Sequence, residues 1–179
     1  MVANRLKLND DKTELTICCS PFVSIFLARP PITISSTSIL LQSSWCDLAA
    51  NFGQNLTMSI HVNSVWKYSY FHLRRIYSTR PFLDVKTAET IIHAFVTSRM
   101  YYCNSLLFGI TKQNFFKFQK VQNCSARICL NISRKSKVSY ISLLRNLHWL
   151  PIQIRINFKI LLFVFKCIYG LAQSYFRPC

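Results

Sequence analysis

No Asp or Glu occurs after Glu89, although the ninety residues that follow carry thirteen Lys and Arg, from Arg99 to Arg177. A half-chain without carboxylates cannot assemble a two-metal carboxylate site or pair a carboxyl general acid with a carboxylate base. The six acids of the chain are Asp10, Asp11, Glu14, Asp47, Asp84 and Glu89, and they leave a net charge of +16. A surface of that sign favours an anionic partner.

Other scarcities narrow the class further. Three glycines are few for a β-rich protein built on tight turns, so a mostly helical fold is expected. None of the eight cysteines forms a C-x-x-C pair, Cys124 and Cys129 lie five apart, and His61, His72, His93 and His148 are scattered. That spacing suits neither a zinc site nor a disulfide framework, and no metal ligands are assigned. Most of the cysteines lie in apolar runs and read as small buried hydrophobes, so a reducing, intracellular setting, nuclear or cytoplasmic, is the expectation.

Long clean apolar runs are missing too. The stretch from Ile17 is broken by Pro21, Arg29, Pro30 and Pro31, and the one from Ile160 is short and carries Lys166. Neither supplies the roughly 20 apolar residues of a membrane span. The amino terminus shows no apolar h-region, so no secretory signal is expected, and the glycosylation triplets at Asn55, Asn123 and Asn131 read as chance.

What is present is core-forming. The chain is 51% hydrophobic, with fourteen Phe, eight Tyr and three Trp, which argues against general disorder despite the charge. Asn9, Asp10 and Asp11 suggest a turn, followed by a short strand around Glu14 to Cys18 and a β-rich part to about Leu41. The Ser-rich stretch from Ser35 to Ser44 has no clear period.

From His61 the pattern turns helical. Val62, Val65, Trp66, Ser69, Leu73 and Ile76 recur at three and four, and Pro81 ends that helix. Asp84 is placed to cap the next, whose face is Val85, Ala88, Ile92, Phe95 and Val96. After Gly109 a third helix is expected from about Gln113 to Leu130, with Phe118, Val121, Gln122, Ser125, Ile128 and Cys129 on one side. Lys117, Lys120 and Arg127 fall within about 80° on the other. Such a stripe is either a solvated face or a phosphate contact. The lack of any Glu at i,i+4 spacing favours phosphate.

Arg134, Lys135 and Lys137 make a basic loop. A last helix from Pro151 to about Tyr169, stopped by Gly170, is apolar nearly all round and so is expected to be buried. Its exceptions Arg155, Lys159 and Lys166 share a strip about 40° wide. They either snorkel to water or line a groove that holds a nucleic-acid backbone.

Several segments carry a resemblance. They are Tyr102-Cys-Asn-Ser-Leu-Leu, Gln119-Lys-Val-Gln-Asn with Ala126 and Arg127, Leu147-His-Trp-Leu-Pro, Arg155 with Phe158-Lys-Ile, and Gly170-Leu-Ala with Ser174 and Tyr175. In this order they resemble the carboxy-terminal part of reverse transcriptases, RNA-directed DNA polymerases, of LINE-type non-LTR retrotransposons. Asn4-Arg-Leu-Lys-Leu-Asn with Lys12-Thr-Glu is similar to the end of that family's polymerase palm. Leu56-Thr-Met-Ser, His61, Val62 and Val65, then His72-Leu-Arg, are similar to the start of the region after it.

The resemblance implies a mostly α fold with a small β-rich amino-terminal part. Residues 1–45 would be a palm remnant and residues 46–179 a helical thumb-like and distal region. In the family, palm aspartates hold two Mg²⁺ ions for nucleotidyl transfer, and they precede the stretch matched by residues 4–14. The chain is therefore expected to be a truncated reverse transcriptase, inactive as a polymerase and holding no cofactor of its own. The family's Lys-Thr-Glu stretch makes Lys12 a weak general-acid candidate; as a residue of this chain it reads better as a surface lysine.

Departures from the pattern look like drift. Asp47-Leu-Ala-Ala stands where the family shows Asn-Leu-Gly-Val, Tyr101 where it shows Asp, and Gln173 where it shows Pro. The residual activity expected is non-specific contact with RNA or DNA phosphates through Lys117, Lys120, Arg127, Arg134, Lys135, Lys137, Arg155 and Lys159. Two alternatives stay open: a stand-alone basic helical module for nucleic acid or an acidic protein, and a non-functional pseudogene product.

Overall fold

The computed structural model describes residues 13–17, 32–34, 37–39, 42–47, 49–53, 56–133 and 135–176. Lys12, Arg134 and the Asn9 to Asp11 turn lie outside them. The fold is mostly helical, with small antiparallel sheets near the amino terminus. Contacts divide it into two compact units, Met1–His61 and Val62–Cys179.

The first unit holds two hairpins. Strands β1 (Ile32–Ile34) and β2 (Thr37–Ile39) pair with Thr33 opposite Ser38. This second strand lies inside the Ser-rich stretch for which no period was evident. Strands β3 (Ser44–Asp47) and β4 (Ala50–Gly53) pair with Trp45 opposite Phe52, and the two rings stack at 5.4 Å and 19°. Cross-strand aromatic pairs of this kind stabilise a ribbon that has little else to bury. The division expected after residue 45 falls inside this hairpin, whose pairing holds residues 44–53 together. Of the strand expected around Glu14 to Cys18, the described part shows a bridge at Leu15, whose carbonyl accepts from the Gln42 N–H at 2.9 Å.

Helix α1 (Ser59–Thr79) is the longest element. Val62, Val65, Ser69, Leu73 and Ile76 are buried as its period requires, while Trp66 lies at the rim against Tyr70, ring centroids 5.1 Å apart. A 3₁₀ turn (Arg80–Phe82) containing Pro81 ends the helix.

Asp84 caps helix α2 (Val85–Ile92), accepting from the N–H groups of Lys86 and Thr87. A π turn over His93–Thr97 then leads into helix α3 (Ser98–Tyr101). Ala88, Ile92 and Val96 are buried as expected, whereas Val85 and Phe95 are exposed. The wider π turn carries Phe95 off the apolar line, and Val85 sits in the first turn, at the edge of the packed face.

A 3₁₀ turn (Asn104–Leu107) precedes helix α4 (Lys112–Cys129), capped by the Thr111 hydroxyl. All six residues assigned to its inner face, from Phe118 to Cys129, are buried. This helix is the centre of the second unit: α2, helix α5 (Tyr140–Asn146) and helix α6 (Ile152–Ile168) all pack on it.

Helix α6 corrects an expectation. Only Ile152 and Ile156 are buried, and Leu161 and Ile168 are each 67% exposed. Its first turns lie against α4 and the Asn104–Leu107 turn. After Ile156 none of its residues is buried, although Phe163 meets the ring of Phe176 edge-on at 4.9 Å. The helix ends as expected at Gly170, whose φ of +67° lets the Leu171 N–H return to the Lys166 carbonyl at 2.8 Å.

Candidate nucleic-acid interface

Among the described residues the one ion pair is between His93 and Glu89, 3.5 Å apart. No Lys or Arg there meets a carboxylate. The positive surface is therefore not neutralised internally, but its members fall into three groups.

Some cations are structural. The Arg127 guanidinium donates to the carbonyls of Ser133 at 3.0 Å, Ser136 at 3.2 Å and Val138 at 3.1 Å. It fastens the loop expected to be basic, and these three donors are taken by backbone carbonyls. Arg80 is buried and was not singled out from the sequence. Its Nε donates to the Ile128 carbonyl at 2.9 Å and its Nη2 to that of Cys129 at 2.8 Å, while Nη1 reaches Leu83. A planar fork is thus placed on the last carbonyls of α4, where cations are favoured.

Arg155 is also turned inward. Its guanidinium carbon lies 4.0 Å from the centre of the Tyr101 ring, and its Nε is buried without a partner. The Gln122 amide donates to the Tyr101 hydroxyl at 3.1 Å and to the Leu150 carbonyl at 2.8 Å. Burial pushes the Tyr101 phenol up, against the opposing pull of Arg155 and of the Gln122 hydrogen bond. Three segments far apart in sequence, at Tyr101, Gln122 and Leu150 to Arg155, therefore meet at one internal joint.

A second group is open. Lys120, Lys135, Lys137 and Lys159 are exposed, and Lys117 reaches the Asn63 side chain at 2.6 Å. Lys159 and Lys166 flank a groove of about 410 Å³ whose apolar wall includes Leu106, Ile160 and Phe163. The strip expected on α6 thus splits, with Arg155 stacked inside and the two lysines at the groove.

The third group was not seen in the sequence. Arg99 lies 3.7 Å from the centre of the Tyr68 ring, and Arg75 lies 5.6 Å from that of Phe71. Between them His72 stacks on Phe95 at 5.3 Å and 18°, and contacts Tyr68 at 4.2 Å. Burial, with Arg75 and Arg99 nearby, pushes the His72 imidazole below its usual range. The signal available was Tyr68, Phe71 and His72 at spacings of three and four beside two arginines. Their pairing with Phe95 of the π turn and Arg99 of α3 depends on tertiary packing.

The described carboxylates do not fit a Mg²⁺ pair. No three His, Cys, Asp or Glu side chains gather among the described residues, Asp84 caps a helix, and Glu89 accepts from the Trp149 indole. No described helix is long and apolar enough to cross a membrane. Set against family models, curated proteins and solved structures, the chain matches none.

Proposed function

We propose that this chain is the thumb-like and distal helical part of a LINE-type, non-LTR retrotransposon reverse transcriptase, and that it holds RNA or DNA through the phosphate backbone without reading bases. The family rests on the sequence resemblance set out above. The observation that carries the activity is a helical unit in which no described Lys or Arg is neutralised by a carboxylate. Counterion release from phosphates is the natural use of such a surface.

Among the described residues the proposed backbone contacts are Lys117, Lys120, Lys135, Lys137 and Lys159, since Arg127 and Arg155 are engaged internally; Arg134 lies outside the described residues. Binding to a single-stranded oligonucleotide is measured by anisotropy at several salt concentrations. With about four phosphates engaged, the log–log slope is expected near about −3. A flat salt response removes nucleic acid as the partner. The chain is expected to give no primer extension with Mg²⁺ or Mn²⁺, because its described carboxylates do not form a metal site; extension would overturn that expectation.

A second reading has its own observation. The groove beside α6 joins an apolar wall to Lys159 and Lys166, which suits an acidic, apolar segment of another protein. In that case Lys166→Glu, at a groove lysine outside the phosphate contacts above, abolishes the interaction and leaves oligonucleotide binding largely intact.

A further inference from the structure

Along one face of α1, Tyr68, Phe71, His72 and Arg75 follow at helical spacing, and Phe95 and Arg99 join them from the next helical segment. Tyr68 is covered by the Arg99 guanidinium and one side of Phe95 by the His72 ring. Phe71 remains 55% exposed and Phe95 48% exposed. Apolar rings of this size at the surface, set between guanidinium groups and with no acid anywhere in α1, are unusual for a purely solvated face.

We infer that this face is a stacking platform for unpaired bases of a single strand, with Phe71 and Phe95 as the rings on which bases lie and Arg75 and Arg99 holding the adjoining phosphates. The inference rests on the nucleic-acid reading above and deepens it, from backbone contact alone to a preference for single strands. Three features of the patch favour this occupant. Every base has a flat face that stacks on an aromatic ring whatever its identity, so no hydrogen-bonding groups are needed. The guanidinium planes add cation–π contact to the rings and charge to the backbone. A duplex, whose bases are already stacked, would meet only the cations.

The full chain is titrated with three labelled probes of equal length: a thirty-residue oligothymidylate, the same backbone made wholly of abasic units, and a duplex. Oligothymidylate is expected to bind at least about fivefold more tightly than the abasic strand for each base stacked. Phe71→Leu and Phe95→Leu remove that advantage and leave abasic binding unchanged. Both rings are half exposed, so helicity by circular dichroism is expected to be retained. Arg99→Gln, at an exposed position, weakens both single strands alike. Equal affinity for oligothymidylate and abasic strand overturns the platform while leaving backbone contact standing. Absence of binding to all three probes overturns the nucleic-acid reading itself.

Discussion

The indole N–H of Trp149 donates to the Glu89 carboxylate at 2.8 Å, tying α2 to the loop before α6 across sixty residues of sequence. Trp149 is buried. The ring of His93 lies 5.1 Å from that of Trp149, and its Nε2 is 3.5 Å from the same carboxylate. The last acid of the chain is thus a joint within the helical unit, which is reason enough for it to stand where every later acid is missing. Glu89→Ala leaves a buried indole N–H without an acceptor and is expected to cost about 1–3 kcal/mol in urea denaturation. Glu89→Gln keeps an acceptor and is expected to lose less.

Arg80 supports a stronger expectation. It is buried, and its donors end on three backbone carbonyls, two of them at the close of α4. Arg80→Ala leaves those carbonyls without donors under the packed end of the helix, and the expected loss is about 2–3 kcal/mol. Arg80→Lys keeps the charge but not the fork. It is expected to recover less than half of that loss by thermal unfolding.

In the β3–β4 hairpin, Ala49 has a φ of +63°, a left-handed conformation that costs a residue with a Cβ about 1–2 kcal/mol. The resemblance places glycine at that position. Ala49→Gly relieves the strain and gives back part of the gain as chain entropy, so a net stabilisation of about 0.5–1 kcal/mol is expected. The check is hydrogen-exchange protection of the ladder amides of β3 and β4, which should rise.

Asp84 sets an acid limit on α2. Its hydrogen bonds with Thr87, side chain first and then backbone, hold its carboxyl below the usual carboxylate range, with Lys86 adding a backbone donor. A carboxylate depressed in the folded state contributes stability that is full above its unfolded pKa and lost as pH falls through the folded one. The melting temperature should therefore fall between about pH 4 and pH 2. Asp84→Asn keeps a good cap without a charge, and its melting curve should be flatter over that window.

Period alone revealed the inner face of α4, because five apolar or small positions with Gln122 among them, at spacings of three and four, have one geometric solution. The same logic failed at α6. Apolar residues all round a helix state that burial would be favourable, but whether a covering layer exists depends on the other elements, and here no residue of the helix after Ile156 is fully covered. Arg127 was read as a phosphate ligand because its stripe is visible in one dimension; the carbonyls of Ser133, Ser136 and Val138 that take its donors arrive only when the loop folds back. The cation–aromatic face joins Tyr68 to Arg99, a pairing that no local spacing contains. The π turn at His93–Thr97, which moves Phe95 into that face, has no signature in residue type.

Tyr101 and Arg155 form a pair at which the resemblance would place an acid opposite the guanidinium. The guanidinium lies 4.0 Å above the ring, yet its Nε is buried without an acceptor. An orphaned buried donor is a cost that a carboxylate at position 101 would remove, and the resemblance places Asp there. Tyr101→Asp gives up the buried ring and the Gln122 hydrogen bond, so its net effect on stability is small or negative. The coupling between the two positions is the more informative quantity. A cation–π pair in this partly covered setting is worth about 0.5–1 kcal/mol, and a hydrogen-bonded carboxylate–guanidinium pair about 1.5–3 kcal/mol. Double-mutant cycles with Arg155→Ala, run once from Tyr101→Ala and once from Tyr101→Asp, should give the larger coupling in the second cycle. Equal couplings would mean that the guanidinium is held by the ring alone and that no acid was ever its partner.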